Sequence, residues 1–248
     1  SAYYLAKEGY EVVVFDKSDM NDGCSYGNAG MIVPSHIIPL AQPGMIAQGI
    51  KWMFDSQSPF YVKPRLNMDL MKWGLQFYRH ANLKHVEKAM PALCDLSLLS
   101  KELYQDFAKG NNSFFYEEKG LLMLYKTDKT GEEIHHEGIL AEKLGLEVDF
   151  LSKEEVSKLE KGTATNVIGG VHYKSDAHVY PQKFMQFIKD ELSRLNVTIH
   201  LLTRVSDFVI KNNKIAEIIT DKGNFATDEV VLATGSWSPA IAKKLNVN

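Results

Sequence analysis

Residues 12–34, VVVFDKSDMNDGCSYGNAGMIVP, decide the fold because a strand, an acidic residue and a loop of small residues follow one another there. The run at 12–15 is β-branched and aromatic, which is typical of a parallel strand buried on both faces. Residues 2–9 before it have the apolar spacing of a helix end, with Gly9 as its stop. Helix, tight turn and strand in this order predict part of a nucleotide-binding unit, with Asp16 at the end of the strand.

Asp16 has the position of an acidic residue that hydrogen-bonds a ribose hydroxyl. In dinucleotide-binding units this residue follows a glycine fingerprint by about 20 residues. Counting back from Asp16 puts the fingerprint before Ser1, and the chain has no initiator Met. We therefore expect the sequence to begin inside the first helix, without the first strand and its glycine loop. The alternative is a strand that merely ends in Asp.

The small-residue loop at 23–30, GCSYGNAG, strengthens the nucleotide interpretation. Small residues let backbone N–H groups approach a ligand closely, and Ser25 and Asn28 add short polar side chains. An ordinary surface turn is the alternative. The loop therefore predicts a ligand contact only in combination with the strand before it.

These segments resemble those of the FAD-dependent D-amino acid dehydrogenase and glycine oxidase group of flavoproteins, within the wider D-amino acid oxidase group. The resemblance rests on VVVFD, on SYGNAGMIVP, on QPG at 42–44 and on IKWMF at 50–54. It covers most of the chain and is closest to the dehydrogenases. The chain departs from the group's pattern in lacking the glycine fingerprint, and we expect it to lack the later, C-terminal part as well.

Bulk composition excludes several function classes. The chain has 248 residues, 45% of them hydrophobic and 24% charged, which is ordinary for a globular protein. A formal net charge of -3 and a pI near 6.2 do not favour nucleic-acid binding. Cys24 and Cys94 indicate neither a disulfide framework nor a zinc site, so we expect no metal. The expected location is cytoplasmic, with association with the inner face of the membrane left open.

The end of the chain repeats the nucleotide pattern. Strands are predicted at 197–202, 204–210 and 214–220, as a meander with a tight turn at Asn212-Asn213. A second buried strand is predicted at 229–235, EVVLATG. Roughly 200 residues separate it from Asp16, which is too many for a simple NAD or S-adenosylmethionine domain, although that third interpretation stays open.

We therefore predict an α/β fold, α+β overall, in which an FAD-binding Rossmann-like domain is interrupted by an antiparallel-sheet substrate domain with helices. The expected boundaries are 1–45 and 176–248 for the two parts of the FAD-binding domain, and 46–175 for the substrate or cap domain. Apolar residues at helical spacing predict helices at 45–54, 68–81, 85–109 and 129–145. Ser152 with Glu155 predicts a capping box for a further helix that ends near residue 159. Residues 114–125 are expected to form two strand segments around Lys119 and Gly120.

The resemblance implies a set of FAD contacts. It puts the adenosine ribose at Asp16, adenine near Lys17 and the backbone of Val205, and the flavin face near Met31. The remaining expected contacts line the pyrophosphate and flavin or close over the cofactor, and these are Ser25, Asn28, Ala29, Gly30, Ala233, Thr234 and Gly235. For each of these residues a packed turn is the alternative.

Substrate residues are harder to identify. His36 in a proline-rich loop and His178 in DAHVYP are candidates for the substrate side, with His172 and Asp176 beside the latter. No arginine stands in a recognisable carboxylate-binding motif, so no catalytic acid, base or nucleophile is named.

The resemblance implies oxidative deamination of D-amino acids to 2-oxo acids, a step of amino acid catabolism, with hydride passing to flavin and electrons to a quinone-type acceptor. The expected partners are an amino acid substrate, that acceptor and, through exposed aromatic residues, a peripheral membrane contact. Alternatives are an oxidase of glycine, sarcosine or imino acids with the same fold, and a non-catalytic fragment without FAD.

Overall fold

A computed structural model describes residues 1–21, 23–53 and 67–245. Its helices are α1 (Ala2–Lys7), α2 (Met45–Met53), α3 (Met68–His80), α4 (Leu83–Gly110), α5 (Asp128–Lys143), α6 (Lys153–Leu159), α7 (Pro181–Arg194) and α8 (Ser238–Ala242). Its strands are β1 (Val13–Phe15), β2 (Met31–Ile32), β3 (Leu121–Tyr125), β4 (Val148–Ser152), β5 (Gly169–Tyr173), β6 (Ala177–His178), β7 (Thr198–His200), β8 (Val205–Lys211), β9 (Lys214–Thr220) and β10 (Gly223–Ala226). Short 3-10 helices lie at Gly235–Trp237 and Lys243–Leu245.

The chain divides into two compact units. The first contains Ser1–Ala29 and Tyr180–Asn248, and the second contains Gly30–Val179. A segment from the middle of the sequence thus forms its own unit, while the two ends share another. The boundaries expected after residues 45 and 175, and the cofactor and substrate roles of the domains, stay predictions.

In the first unit, β1 pairs in parallel with β7. The parallel pairing is as predicted, and Gly9, at a φ of 90°, follows α1 as the expected stop. The expected burial on both faces is wrong, because Val13 is 42% exposed. Among the described strands β7 alone pairs with β1, so one edge of β1 has no neighbouring strand to cover it.

The antiparallel sheet of the first unit has the order β10-β9-β8. Asn212 and Asn213 have φ values of 51° and 61°, which confirms the predicted tight turn between β8 and β9. The predicted meander was wrong in its first strand, since residues 198–200 pair with β1 instead. Leu202, at a φ of 50°, turns the chain away after β7, and β10 supplies the third strand.

The strand predicted at 229–235 is not formed. Residues 229–234 adopt no regular structure, and Val231 is 59% exposed. A β-branched run forms a strand only beside a partner that accepts its backbone hydrogen bonds. Within the described part of the chain no strand pairs with this segment.

The second unit is built on an antiparallel sheet of order β3-β5-β4. The glycines of β5 leave room for neighbouring side chains, and α5 packs across the sheet, where Gly138 lies against Phe150. The predicted capping box is present, because the Ser152 hydroxyl accepts from the Glu155 N–H and the Glu155 carboxylate accepts from the Ser152 N–H. The buried cluster consists of Ile37, Cys94, Ile134, Ala141, Leu146, Val171 and Tyr173.

The prediction of a strand before Lys119 was wrong. Residues 114–118 form only an isolated bridge, between Glu117 and His178, and β3 pairs with β5 instead. The Asn112 side chain accepts a hydrogen bond from the Tyr116 N–H at 2.7 Å and donates to its C=O at 3.1 Å. Such local side-chain bonds bend the backbone into a turn and compete with strand pairing.

The helices at 45–53, 68–80, 83–110 and 128–143 confirm the helical spacing read from the sequence, within the described residues. Of the aromatic residues expected to contact a membrane, Phe54, Phe60 and Tyr61 lie outside the described residues. Among the described helices, none combines the length and apolar content that crossing a membrane requires.

Candidate functional site

Asp16 lies half-buried where the parallel strand pair ends. Its N–H donates to the His200 C=O at 3.0 Å, and its C=O accepts from the Thr203 N–H at 2.8 Å. Its carboxylate Oδ1 accepts from the N–H and the hydroxyl of Ser18, both at 2.8 Å. Oδ2 accepts no hydrogen bond from the residues that the structure describes. The acid is therefore fixed in position with one oxygen available to a ligand hydroxyl.

Lys17 connects the end of β1 with the segment that precedes α8. Its Nζ lies 4.5 Å from the centroid of the Trp237 ring. The backbone N–H of Trp237 donates to the Thr234 C=O at 3.1 Å. Ala233, Thr234 and Gly235 are all exposed. Although no strand forms at 229–235, residues 233–235 therefore still lie near the end of β1.

Val205 is the first residue of β8 and stands two positions after Thr203, which is bonded to Asp16. The first unit thus brings Asp16, Lys17 and Val205 close to the exposed segment at 233–235. All of these residues were predicted to contact one ligand, although they lie far apart in the sequence.

The small-residue loop is held by its own side chains. Asn28 Nδ2 donates to the C=O groups of Cys24 and Ser25 at 2.9 Å and 3.0 Å. A Cβ added at Gly27 would meet no atom within 4 Å. Ser25, Asn28 and Ala29 are exposed, so the loop has open space in front of it.

Lys189 of α7 anchors this loop. Its Nζ donates to Asn21 Oδ1 at 3.2 Å and to Tyr26 Oη at 3.1 Å, and it lies 5.3 Å from the centroid of the Tyr26 ring. Sequence reasoning did not identify Lys189, because nothing in its own helix indicates a distant loop as its partner.

Gly30 and Met31 begin the second unit. Gly30 is buried at a φ of 70°, and its C=O accepts from the Val179 N–H at 2.8 Å. Met31 is 46% exposed and lies opposite His178 in the β2–β6 pair. Two predicted residues, one assigned to the flavin and one to the substrate, are therefore neighbours.

His178 has an acidic partner that the sequence analysis missed. Its Nε2 lies 3.4 Å from Glu117 Oε2, and Lys119 Nζ lies 2.6 Å from the same oxygen. The Lys119 ammonium, and more weakly His178, hold the pKa of the Glu117 carboxyl below its usual value. The backbone bridge between Glu117 and His178 sets this contact, and no sequence motif marks it.

Asp176 is fully buried and binds the loop that carries His36. Its carboxylate accepts from the Ser35 N–H at 3.0 Å and from the Ser35 hydroxyl at 2.5 Å. His36 itself is exposed, with Nδ1 3.3 Å from Ser35 Oγ. His172 Nε2 lies 3.0 Å from the Lys119 C=O, a contact that suffices to explain this histidine structurally. The Asp176 bonds thus tie the His36 loop to the turn before His178.

The described residues fit an adenine dinucleotide at the first unit. One oxygen of Asp16 is available, an exposed indole lies beside Lys17, and a Cβ added at Gly27 of the small-residue loop would meet no atom within 4 Å. Within the described ranges, no group of three or more His, Cys, Asp or Glu side chains could hold a metal ion.

Comparison with known proteins agrees with this geometry. The family model of the DAO group, FAD dependent oxidoreductase, matches residues 1–248. The chain belongs to this FAD-dependent oxidoreductase family. The match confirms the family recognised from residues 12–34.

Individual relatives agree with the DAO family assignment. D-amino acid dehydrogenases of Helicobacter pylori and Vibrio vulnificus are 32% and 27% identical, over 98% and 100% of this chain. The chain spans 58% and 60% of those relatives' lengths. Glycine oxidase from Geobacillus kaustophilus superposes with a TM-score of 0.67 at 18% identity, covering 100% of this chain and 55% of that structure. This likeness confirms the predicted fold class.

Proposed function

We propose that the protein carrying this chain is an FAD-dependent dehydrogenase that oxidises D-amino acids to 2-oxo acids and passes the electrons to a quinone-type acceptor. The observation that carries the proposal is the Asp16 carboxylate, held at the end of a parallel strand pair with Oδ2 available. It occurs in a chain 32% identical to a D-amino acid dehydrogenase. Because the chain spans 58% of that relative, the activity is proposed for the whole protein.

Bound FAD would supply the hydride acceptor of the reaction. Asp16 Oδ2 would accept a hydrogen bond from the adenosine ribose, since Ser18 already holds the other oxygen. Lys17 and the backbone of Val205 would lie at the adenine. The remaining proposed contacts, along the pyrophosphate and flavin, are Ser25, Asn28, Ala29, Gly30, Ala233, Thr234 and Gly235.

On the substrate side, we propose that Met31 faces the flavin and that His36 and His178 face the substrate. The half-exposed pair of Met31 and His178 supports this, because the two residues lie opposite each other in neighbouring strands and both are accessible to a ligand. Glu117 would orient the His178 imidazole through its carboxylate. We assign no catalytic acid or base.

The proposed acceptor and location rest on an exposed face of α3. Met71, Leu75 and Tyr78 share one side of this helix and are 60%, 51% and 68% exposed, and Lys72 and Arg79 lie on the same helix. Interfacial aromatic residues next to cationic ones are typical of a helix that lies on a membrane surface. We therefore propose a cytoplasmic protein in peripheral contact with the inner face of the membrane, where a quinone is available.

Two alternatives remain. An oxidase of glycine, sarcosine or an imino acid is favoured by the fold likeness to glycine oxidase. The other alternative is a non-catalytic piece without FAD. The NAD and S-adenosylmethionine interpretation loses its support, because the family is FAD-dependent.

Acceptor-specific assays of the full-length protein separate the candidates. Incubation with a panel of D-amino acids is expected to reduce an artificial quinone-type dye without rapid oxygen consumption. Rapid oxygen consumption with glycine or sarcosine would support the oxidase instead. No reaction with either acceptor, and no bound flavin after gel filtration, would support the non-catalytic alternative.

The anchor of the small-residue loop gives a first prediction. Lys189→Met is expected to weaken FAD binding about five-fold, because it removes two hydrogen bonds and a ring contact that hold the loop. Equilibrium titration with FAD measures the change, and hydrogen exchange should be faster in the segment around Tyr26. Lys183→Met, on the same helix, is the matched control. Equal affinities for all three proteins would contradict the anchoring role.

A further inference from the structure

Trp237 is an exposed aromatic side chain beside the acid of the candidate site. Trp237 is the last residue of the short helix Gly235–Trp237, and 63% of the residue is exposed. Indoles are usually largely buried in folded proteins, since they carry a large apolar surface. An indole left open at this position is therefore a candidate contact surface for a ligand.

Both Trp237 and Lys17 are held in position by hydrogen-bonded backbone. Lys17 follows Asp16, whose backbone is bonded to His200 and Thr203. The Trp237 N–H donates to the Thr234 C=O, and the hydroxyls of Thr234 and Ser238 lie 3.0 Å apart across the same turn. The indole therefore projects from a short, locally bonded segment.

Lys17 can contact a ligand as well as the Trp237 ring. Its ammonium lies 4.5 Å from the centroid of the Trp237 ring, and Lys17 forms no ion pair within the described residues. Cation–π contacts at exposed sites are weaker than the stacking of a base on an aromatic side chain. A nucleotide base can therefore stack on the indole in place of the ammonium, which then lies at the edge of the base.

We infer that the Trp237 indole is the stacking surface for the adenine of the dinucleotide, with Lys17 beside it. The carboxyl ends of parallel strands are where nucleotides bind in such sheets, and Asp16 at this end can bind the neighbouring ribose. Base and ribose thus each meet a group suited to them. The inference rests on the proposed FAD function and adds a residue to it.

The fluorescence of Trp237 tests the inference without relying on activity. This sequence has three tryptophans, so replacing Trp52, Trp73 and any tryptophan elsewhere in the full-length protein by Phe leaves Trp237 as the single one. In the FAD-free full-length protein, ADP is expected to quench this fluorescence and saturate. If FAD binds the same protein while ADP leaves the fluorescence unchanged at any concentration, the inference is overturned.

Affinity measurements on variants give a second test. Trp237→Ala is expected to weaken the binding of both ADP and FAD about 30-fold, the middle of the range for loss of one stacked base. Trp237→Phe should keep most of the affinity, and Trp73→Ala, an exposed tryptophan of the other unit, should keep all of it. Unchanged FAD and ADP affinity in a folded Trp237→Ala protein would overturn the inference alone. Wild-type protein that binds neither ligand would overturn the proposed function too.

Discussion

Replacing Asp176 by Ala is expected to lower the free energy of unfolding by about 3 kcal/mol, the largest effect among the polar residues considered. The carboxylate is fully buried and holds both the N–H and the hydroxyl of Ser35. Alanine leaves these two donors without an acceptor and leaves a cavity. Urea unfolding of the full-length protein measures the loss.

Two further variants test the cause. Asp176→Asn keeps an oxygen acceptor of the same shape and is expected to cost less than about 1 kcal/mol. Asp149→Ala removes a half-exposed ion pair with Lys174 and is expected to change stability by at most about 0.5 kcal/mol. A loss in Asp176→Ala no larger than in Asp149→Ala would contradict a structural role for the buried carboxylate.

The pH dependence of stability shows in which direction burial shifts the pKa of the Asp176 carboxyl. Burial raises the pKa of the Asp176 carboxyl above its ordinary value of 3.8, although the hydrogen bonds from Ser35 oppose this. The folded state therefore keeps the proton to a higher pH than the unfolded state does. Stability falls as the pH rises from the unfolded pKa through the folded one, and Asp176→Asn should remove this contribution. The difference is measured by repeating the urea unfolding across that interval.

Replacing Gly120 by Ala is expected to cost about 3 kcal/mol as well. Gly120 has a φ of 76°, and its N–H donates to the Asp176 C=O at 3.0 Å. A Cβ there would lie 2.7 Å from the Tyr173 C=O and would also collide with the His172 ring. Backbone of the central strand β5 cannot move aside without disturbing both neighbouring strands, so the clash is not relieved. Urea unfolding measures the change.

Gly145→Ala is the matched control for Gly120. Gly145 has a similar φ of 85°, but a Cβ there would meet no atom within 4 Å. The control carries only the backbone strain, about 1 kcal/mol. Equal losses in the two variants would show that the clash contributes nothing and that the turn before His178 is looser than described.

Local signals predicted much of this fold. Helical spacing located the helices at 68–80, 83–110 and 128–143, and two consecutive asparagines predicted the turn after β8. Ser152 and Glu155 predicted their own capping box. The small-residue loop and Asp16 led to the correct family. In each case the deciding contacts lie within a few residues along the chain.

Long-range pairing could not be predicted. The β-branched run at 229–235 has strand propensity, but no described strand accepts its hydrogen bonds. Glu117 reaches His178 only through a bridge between distant segments, and Lys189 reaches Tyr26 across more than 160 residues. The exposure of Trp237 is likewise set by the packing around it, since the sequence ATGSW does not distinguish a buried indole from an exposed one.

The visible absorption spectrum of the full-length protein, recorded anaerobically before and after addition of D-amino acids, tests the central claim most directly. We predict a flavin spectrum that is bleached by one or more D-amino acids and unchanged by their L-enantiomers. A flavin spectrum that no D-amino acid bleaches, but that glycine or sarcosine does, would contradict the D-amino acid dehydrogenase assignment while keeping the fold.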